Sequence, residues 1–178
     1  RATIGSRPSS CARSREAAVW QTLSAKERLC EELDALTRTS GSPGQDDAAT
    51  AAPERWAALP PLPSAWEKRL LARRDAALRA LSNPDATAAY AATIAQGSDA
   101  RAEILLELEM SLGIDSPAEL QPQRLALQVK HLRARFQSAT SATTARDILL
   151  AWCAQPGVAD ARDRQRFERV LAAIAKAR

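Results

Sequence analysis

RAEILLELEMSLGIDSPAELQPQRLALQ, residues Arg101–Gln128, decides the fold of this 178-residue chain. Ile104, Leu105, Leu108 and Leu112 recur at the spacing of one helix face. Gly113 follows them, and glycine readily takes the left-handed conformation that ends a helix. Ser116-Pro117-Ala118-Glu119 then reads as a restart, with serine as N-cap, proline as first helical residue and glutamate closing a capping box. Beyond it, Leu125, Val129, Leu132 and Phe136 form a seam at i, i+4, i+7 and i+11. The short link predicts that this seam packs on Ile104, Leu105, Leu108 and Leu112 of the preceding helix. Pro122 predicts a kink, or a helix start delayed to Gln121.

The rest of the chain is written in the same style. Alanine accounts for 39 residues, and alanine loses no side-chain entropy in a helix. Strand formers never alternate over a useful length, so the expected class is all-α, a bundle of about six to eight helices. Upstream, a helix is expected over 12–37. It could be divided at Ser24-Ala-Lys-Glu27, which reads as a capping box, with Leu29, Leu33 and Leu36 as its apolar stripe. A turn over 39–45 leads to a short helix around 47–59 that carries Trp56 and stops at Pro60-Pro61-Leu62-Pro63. Ser64-Ala-Trp-Glu67 reads as a further capping box, and the helix behind it ends at Asn83-Pro84. An alanine-rich helix should span 85–96 and stop at Gly97. Downstream of a Ser/Thr/Ala linker over 138–144, a Trp152 helix ends at Pro156-Gly157. The last helix, about 159–176, should bury Phe167, Val170, Leu171 and Ile174.

These breaks divide the chain into a loose segment at 1–12, an N-terminal helical unit at 13–97 and a C-terminal unit at 98–178. An internal echo at an offset of 96 supports two related helical hairpins. Trp56-x-x-x-Pro60 matches Trp152-x-x-x-Pro156, Leu71 matches Phe167, Arg73 matches Arg169 and Leu78 matches Ile174.

Charge is uneven. The formal net charge of +4 divides into +7 over 124–178 and −3 over 1–123. Arg162, Arg166 and Arg169 fall on one face of the last helix, and Arg124, His131 and Arg135 on one face of the SPAE helix, with Lys130 beside them. Arg124, Lys130, Arg135, Arg162, Arg166 and Arg169 are therefore the candidate nucleic-acid-binding residues. Such stripes would track a phosphate backbone without reading its sequence, because no aromatic interleaves them for bases to stack on.

Catalytic chemistry finds little footing. His131 is the sole histidine and is expected to be solvated, so a Ser-His or Cys-His nucleophile has no good base. Glu103 and Glu107 stand one turn apart, which ordinarily marks the wet side of a helix. There is no glycine-rich phosphate loop. Cys11, Cys30 and Cys153 are too scattered for a thiolate metal site or a disulfide framework. Trp56 and Trp152 are expected in the core, while Trp66 could be buried or could anchor a partner. No membrane span or signal segment is read, so the expected location is the cytoplasm, and the opening Arg1 suggests a fragment or a processed product.

Three stretches resemble the bacterial helical repeat family called domain of unknown function 349. Lys26–Leu36 (KERLCEELDAL) is similar to the family's opening helix, and Trp56 followed by Leu70-Leu71-Ala-Arg73 and Ala76-Ala77 to its second half. Residues 105–128, with LELE, Gly, SPAE, Arg and Gln in order, resemble the end of long members. The proline cluster at 60–63 and Pro122 depart from the family pattern. The resemblance implies a helical architecture within a longer protein and brings no catalytic residues with it. The function expected is a non-catalytic interaction or scaffold module, without cofactor or metal, bound by a protein partner or by the rest of its own parent chain. Sequence-independent binding to RNA or the ribosome through the basic C-terminal helices is the alternative.

Overall fold

The computed structural model describes residues 10–39, 45–137 and 143–176, and the side chains of 15–39, 45–133 and 143–176. Among the described residues there are seven α-helices and no strand, an all-α bundle. In chain order they are α1 (Ser10–Arg38), α2 (Gln45–Ala57), α3 (Ser64–Ser82), α4 (Pro84–Ser111), α5 (Gln121–Gln137), α6 (Ala145–Ala154) and α7 (Ala161–Lys176), with a 3₁₀ turn at Ala118–Leu120. Helix α1 lies against α2, α3, α4 and α7, and α4 in turn carries α5, α6 and α7. No helix among the described residues is long and apolar enough to cross a membrane.

Leucine and alanine periodicity puts the helices where it should, but the expected stop at Gly97 is absent, and of the two readings left open for 12–37 the undivided helix is the one observed. Helix α1 runs through Ser24–Glu27 without interruption, and α4 runs through Gly97 for 28 residues. Gly97 is buried, and a Cβ there would stand 1.9 Å from the Pro156 carbonyl oxygen. It is glycine because the 155–160 loop lies against the helix, where any larger residue would collide. The boundary between units 13–97 and 98–178 thus falls inside one helix. A single apolar cluster joins Leu23, Leu33 and Leu70 to Leu105, Trp152 and Val170. Helix α1 already begins at Ser10, within the segment expected to be loose, and residues 1–9 lie outside the described ones, as do 138–142 of the expected linker.

Helix ends follow the expected chemistry only in part. Asn83 caps α4, its side chain accepting from the Asp85 N–H, with Pro84 as first residue. Gly113 takes φ +67°, the Ile114 N–H reaches the Glu109 carbonyl at 2.8 Å and the Gly113 N–H that of Met110 at 3.3 Å. That pairing is a Schellman cap. By contrast, none of the three expected capping boxes forms. Ser24 lies inside α1, and Pro63 rather than Ser64 occupies the N-cap of α3. Pro117 precedes the 3₁₀ turn, and α5 starts at Gln121. The box that does form is Thr144 with Asp147 at the start of α6.

Side chains around the two tryptophan helices, α2 and α6, are used alike. Lys26 stands over the Trp56 ring at 4.8 Å and Arg101 over Trp152 at 3.7 Å. Eight residues beyond each base sits a buried acid, Asp34 or Glu109. Arg73 of α3 holds Asp34, and Arg166 of α7 grips Glu109 through two bonds of 2.9 and 2.8 Å. Arg169, the counterpart of Arg73 in the sequence echo, approaches the same Glu109 at 3.9 Å.

Candidate functional site

Helix α5 sits on α4 the opposite way round from the seam reading. Leu127 is its buried apolar residue and lines a cleft with Leu106 of α4. Alongside, Lys130 donates to Glu103 at 2.8 Å, and His131 Nε2 lies 3.0 Å from Glu107. Glu103 and Glu107 are one turn apart on α4, so α5 is docked by its basic face onto that acidic edge. The Glu103 carboxylate accordingly raises the affinity of Lys130 for its proton. Leu125, Val129 and Leu132 point away, 62%, 39% and 53% exposed. The expected packing of this stripe on Ile104, Leu105, Leu108 and Leu112 is therefore corrected: Leu105 and Leu108 are buried in the main core instead. The Phe136 side chain lies outside the described ones.

The six basic candidates do not form one free surface. Arg166 is buried, bound to Glu109 and to Asp163. The loop before α5 takes up Arg124, which donates to the Ile114 carbonyl at 3.1 Å and to Ser116 Oγ at 2.9 Å. Ser116 thus serves as acceptor for an arginine and caps no helix. Arg162 pairs with Glu119 and Lys130 with Glu103, while Arg169 is half exposed beside Glu109. The Arg135 side chain is outside the described ones. Three of the six, Lys130, Arg162 and Arg166, meet around a cleft of about 520 Å³ between α4, α5 and α7. Asp99, Glu103, Asp160 and Asp163 share its wall, so a phosphate approaching there would meet carboxylates as well as arginines.

The densest chemistry in the molecule lies inside. Glu27, Glu31 and Asp34 recur at i, i+4 and i+7 along α1, and all three are buried. Arg73 donates to Asp34 at 2.9 Å, and Arg101 to Glu27 at 2.5 Å. Both arginines also donate to the Gly157 carbonyl, at 3.0 and 2.6 Å. The Gly157 N–H returns to Asp34 at 2.9 Å, where the Tyr90 hydroxyl also donates at 2.8 Å. Glu31 accepts the Ala159 N–H and pairs with Arg164 at 2.7 Å. Burial, with Glu27 adding to it, pushes the Glu31 carboxyl above its usual range against the pull of Arg101 and Arg164.

This cage is sealed by its own loop. The void beside Arg101 and Trp152 measures about 20 Å³, room for roughly one water. Two buried thiols lie within electrostatic reach of Glu27 and Arg73, and burial raises both, Cys30 to about 12 and Cys153 further still. Such thiols are protonated and unreactive at neutral pH. Among the described residues no group of three His, Cys, Asp or Glu side chains is placed to hold a metal ion.

Leu125, Val129 and Leu132 are the residues whose role the sequence concealed, since a clean helical seam ordinarily faces its own core. A signal was present. Lys130 and His131 match Glu103 and Glu107 of the preceding helix, and a helix can bury only one face against its neighbour. Comparisons with models of known protein families, with curated proteins and with solved structures find no match for the chain.

Proposed function

We propose that the chain is a non-catalytic helical interaction module within a larger bacterial cytoplasmic protein, of the helical repeat family that its sequence resembles. Its partner meets it on the outer face of α5. The observation that carries this reading is the exposure of Leu125, Val129 and Leu132 on a helix already anchored from behind. Three large aliphatic side chains in one row lose their contact with water only when something covers them. Support for the non-catalytic part comes from the nucleophile candidates: Cys30 and Cys153 are buried and protonated, and His131 faces Glu107. Arginines engaged by Glu109, Glu119 and the 114–116 loop count against a phosphate-tracking surface. Capture from bacterial lysate, with and without nuclease, tests the reading. The expected result is nuclease-resistant protein capture that Leu125→Ser with Leu132→Ser abolishes. Capture that vanishes with nuclease and survives that double substitution would establish the RNA reading instead.

A further inference from the structure

We infer that α5 receives an acidic amphipathic helix from a different protein, lying alongside it as in a two-stranded coiled coil, an inference that rests on the docking role proposed for α5. The exposed row has coiled-coil spacing: Leu125, Val129 and Leu132 take positions d, a and d, and Phe136 continues the register as a. β-branched valine at a and leucine at d favour a two-stranded pairing. The row is also narrow. Gln128 and Arg133 border it and are exposed, so it matches the seam of one helix better than the broad apolar face of a membrane-surface helix.

Charge then chooses the occupant. No Asp or Glu occurs between Leu120 and Arg146, an interval that holds four Lys and Arg residues. Lys130 and His131 are already matched by α4, whereas exposed Arg133 has no carboxylate partner among the described residues. In the heptad register Arg133 falls at e and Arg135 at g. Those positions border the seam, and a second copy of α5, which carries no carboxylate, would offer neither arginine an ion pair in either orientation. A helix with glutamates at e and g supplies those ion pairs along both edges of the seam.

The probe is a labelled synthetic peptide of about four heptads with Val at a, Leu at d and Glu at every e and g, kept monomeric by its own charge. Its counterpart carries Lys at e and g. Fluorescence anisotropy against the whole chain at physiological salt should show the acidic peptide bound at least about tenfold more tightly than the basic one. Leu132→Asp should abolish that binding while the circular dichroism melt stays unchanged. Arg133→Glu should weaken the acidic peptide by about fivefold and strengthen the basic one. Equal binding of the two peptides, or no binding of the acidic one at about 100 μM, overturns the inference. It is equally overturned if the chain dimerises through α5 in sedimentation, or if anionic phosphatidylserine vesicles or a single-stranded RNA are held through Leu132 in preference to the peptide. Lysate capture that depends on Leu125 and Leu132 while the peptide fails would remove only the acidic-helix chemistry. Loss of both would remove the docking role as well.

Discussion

At the scale of single residues, the most instructive side chains are three glutamates placed three positions after a serine. Glu27, Glu67 and Glu119 each have the sequence context of a helix cap, yet each holds a cation from another part of the molecule, Glu119 while also accepting its own backbone N–H. Glu27 binds Arg73 and Arg101, and Glu119 binds Arg162. Glu67 takes both of its oxygens to the Lys26 ammonium, at 2.7 and 2.8 Å, and adds the Trp56 ring N–H and the Leu62 backbone N–H, each at 2.9 Å. A charge-assisted bond is about twice as strong as a neutral one, so a nearby cation outbids the serine N–H that a capping box would use. Partial burial pushes the Glu67 carboxyl upward, but Lys26, Leu62 and Trp56 together outweigh it and hold the group below its ordinary 4.5. A depressed native-state value contributes stability that is present above the ordinary value and lost as pH falls through the depressed one. Glu67→Gln should therefore lower the melting temperature at pH 7, and its gap from the wild type should narrow as the pH drops below 4.5. Melts from pH 7 to pH 3 check this, and a constant gap across that range would remove the carboxylate from its assigned role.

Whole elements were more legible than their orientation. The Gly113 cap, the Asn83-Pro84 break and the buried Phe167–Ile174 face of α7 depend on backbone conformation or on a helical period within one element, and both are written locally. Helix α5 shows the limit of such reading. Its period announces an amphipathic helix but not which face meets the rest of the chain, because Lys130 and His131 find their acids on α4 and nowhere in their own segment. Substitutions on its two faces should diverge accordingly. Leu127→Ala removes a buried side chain at the α4 contact and should cost about 2–5 kcal/mol. Leu132→Ala, on the exposed face, should change stability by no more than about 0.5 kcal/mol. Chemical denaturation of the two variants side by side distinguishes them, and equal losses would return the seam to the core. The candidate site was hidden by the same ambiguity: its leucines were visible, and their outward direction was not.

For the whole molecule, the buried cage decides what counts as a unit. Asp34 comes from α1, Arg73 from α3, Arg101 from the middle of α4, and the Gly157 amide group from the loop between α6 and α7. Sequence periodicity cannot show this, since a carboxylate at i, i+4 and i+7 has the same spacing on a wet face as inside. Removing one member of such a set leaves an uncompensated charge in the interior. Arg73→Met should cost about 3–5 kcal/mol, and the loss should appear in a single transition for the entire chain. Tryptophan fluorescence and circular dichroism, followed together in denaturant, read it. Two separated transitions would divide the chain into independent halves after all.

The same cage imposes an order on synthesis. Asp34 leaves the ribosome well before Gly157, whose amide N–H completes its shell across 123 positions of sequence. Until then the nascent α1, α3 and α4 must hold three carboxylates in a pocket whose lid has not been made. Water has to occupy that place, so these helices can gather but cannot close. Native structure around Glu27, Glu31 and Asp34 therefore waits for translation of the 155–160 loop, the stretch that dries the centre.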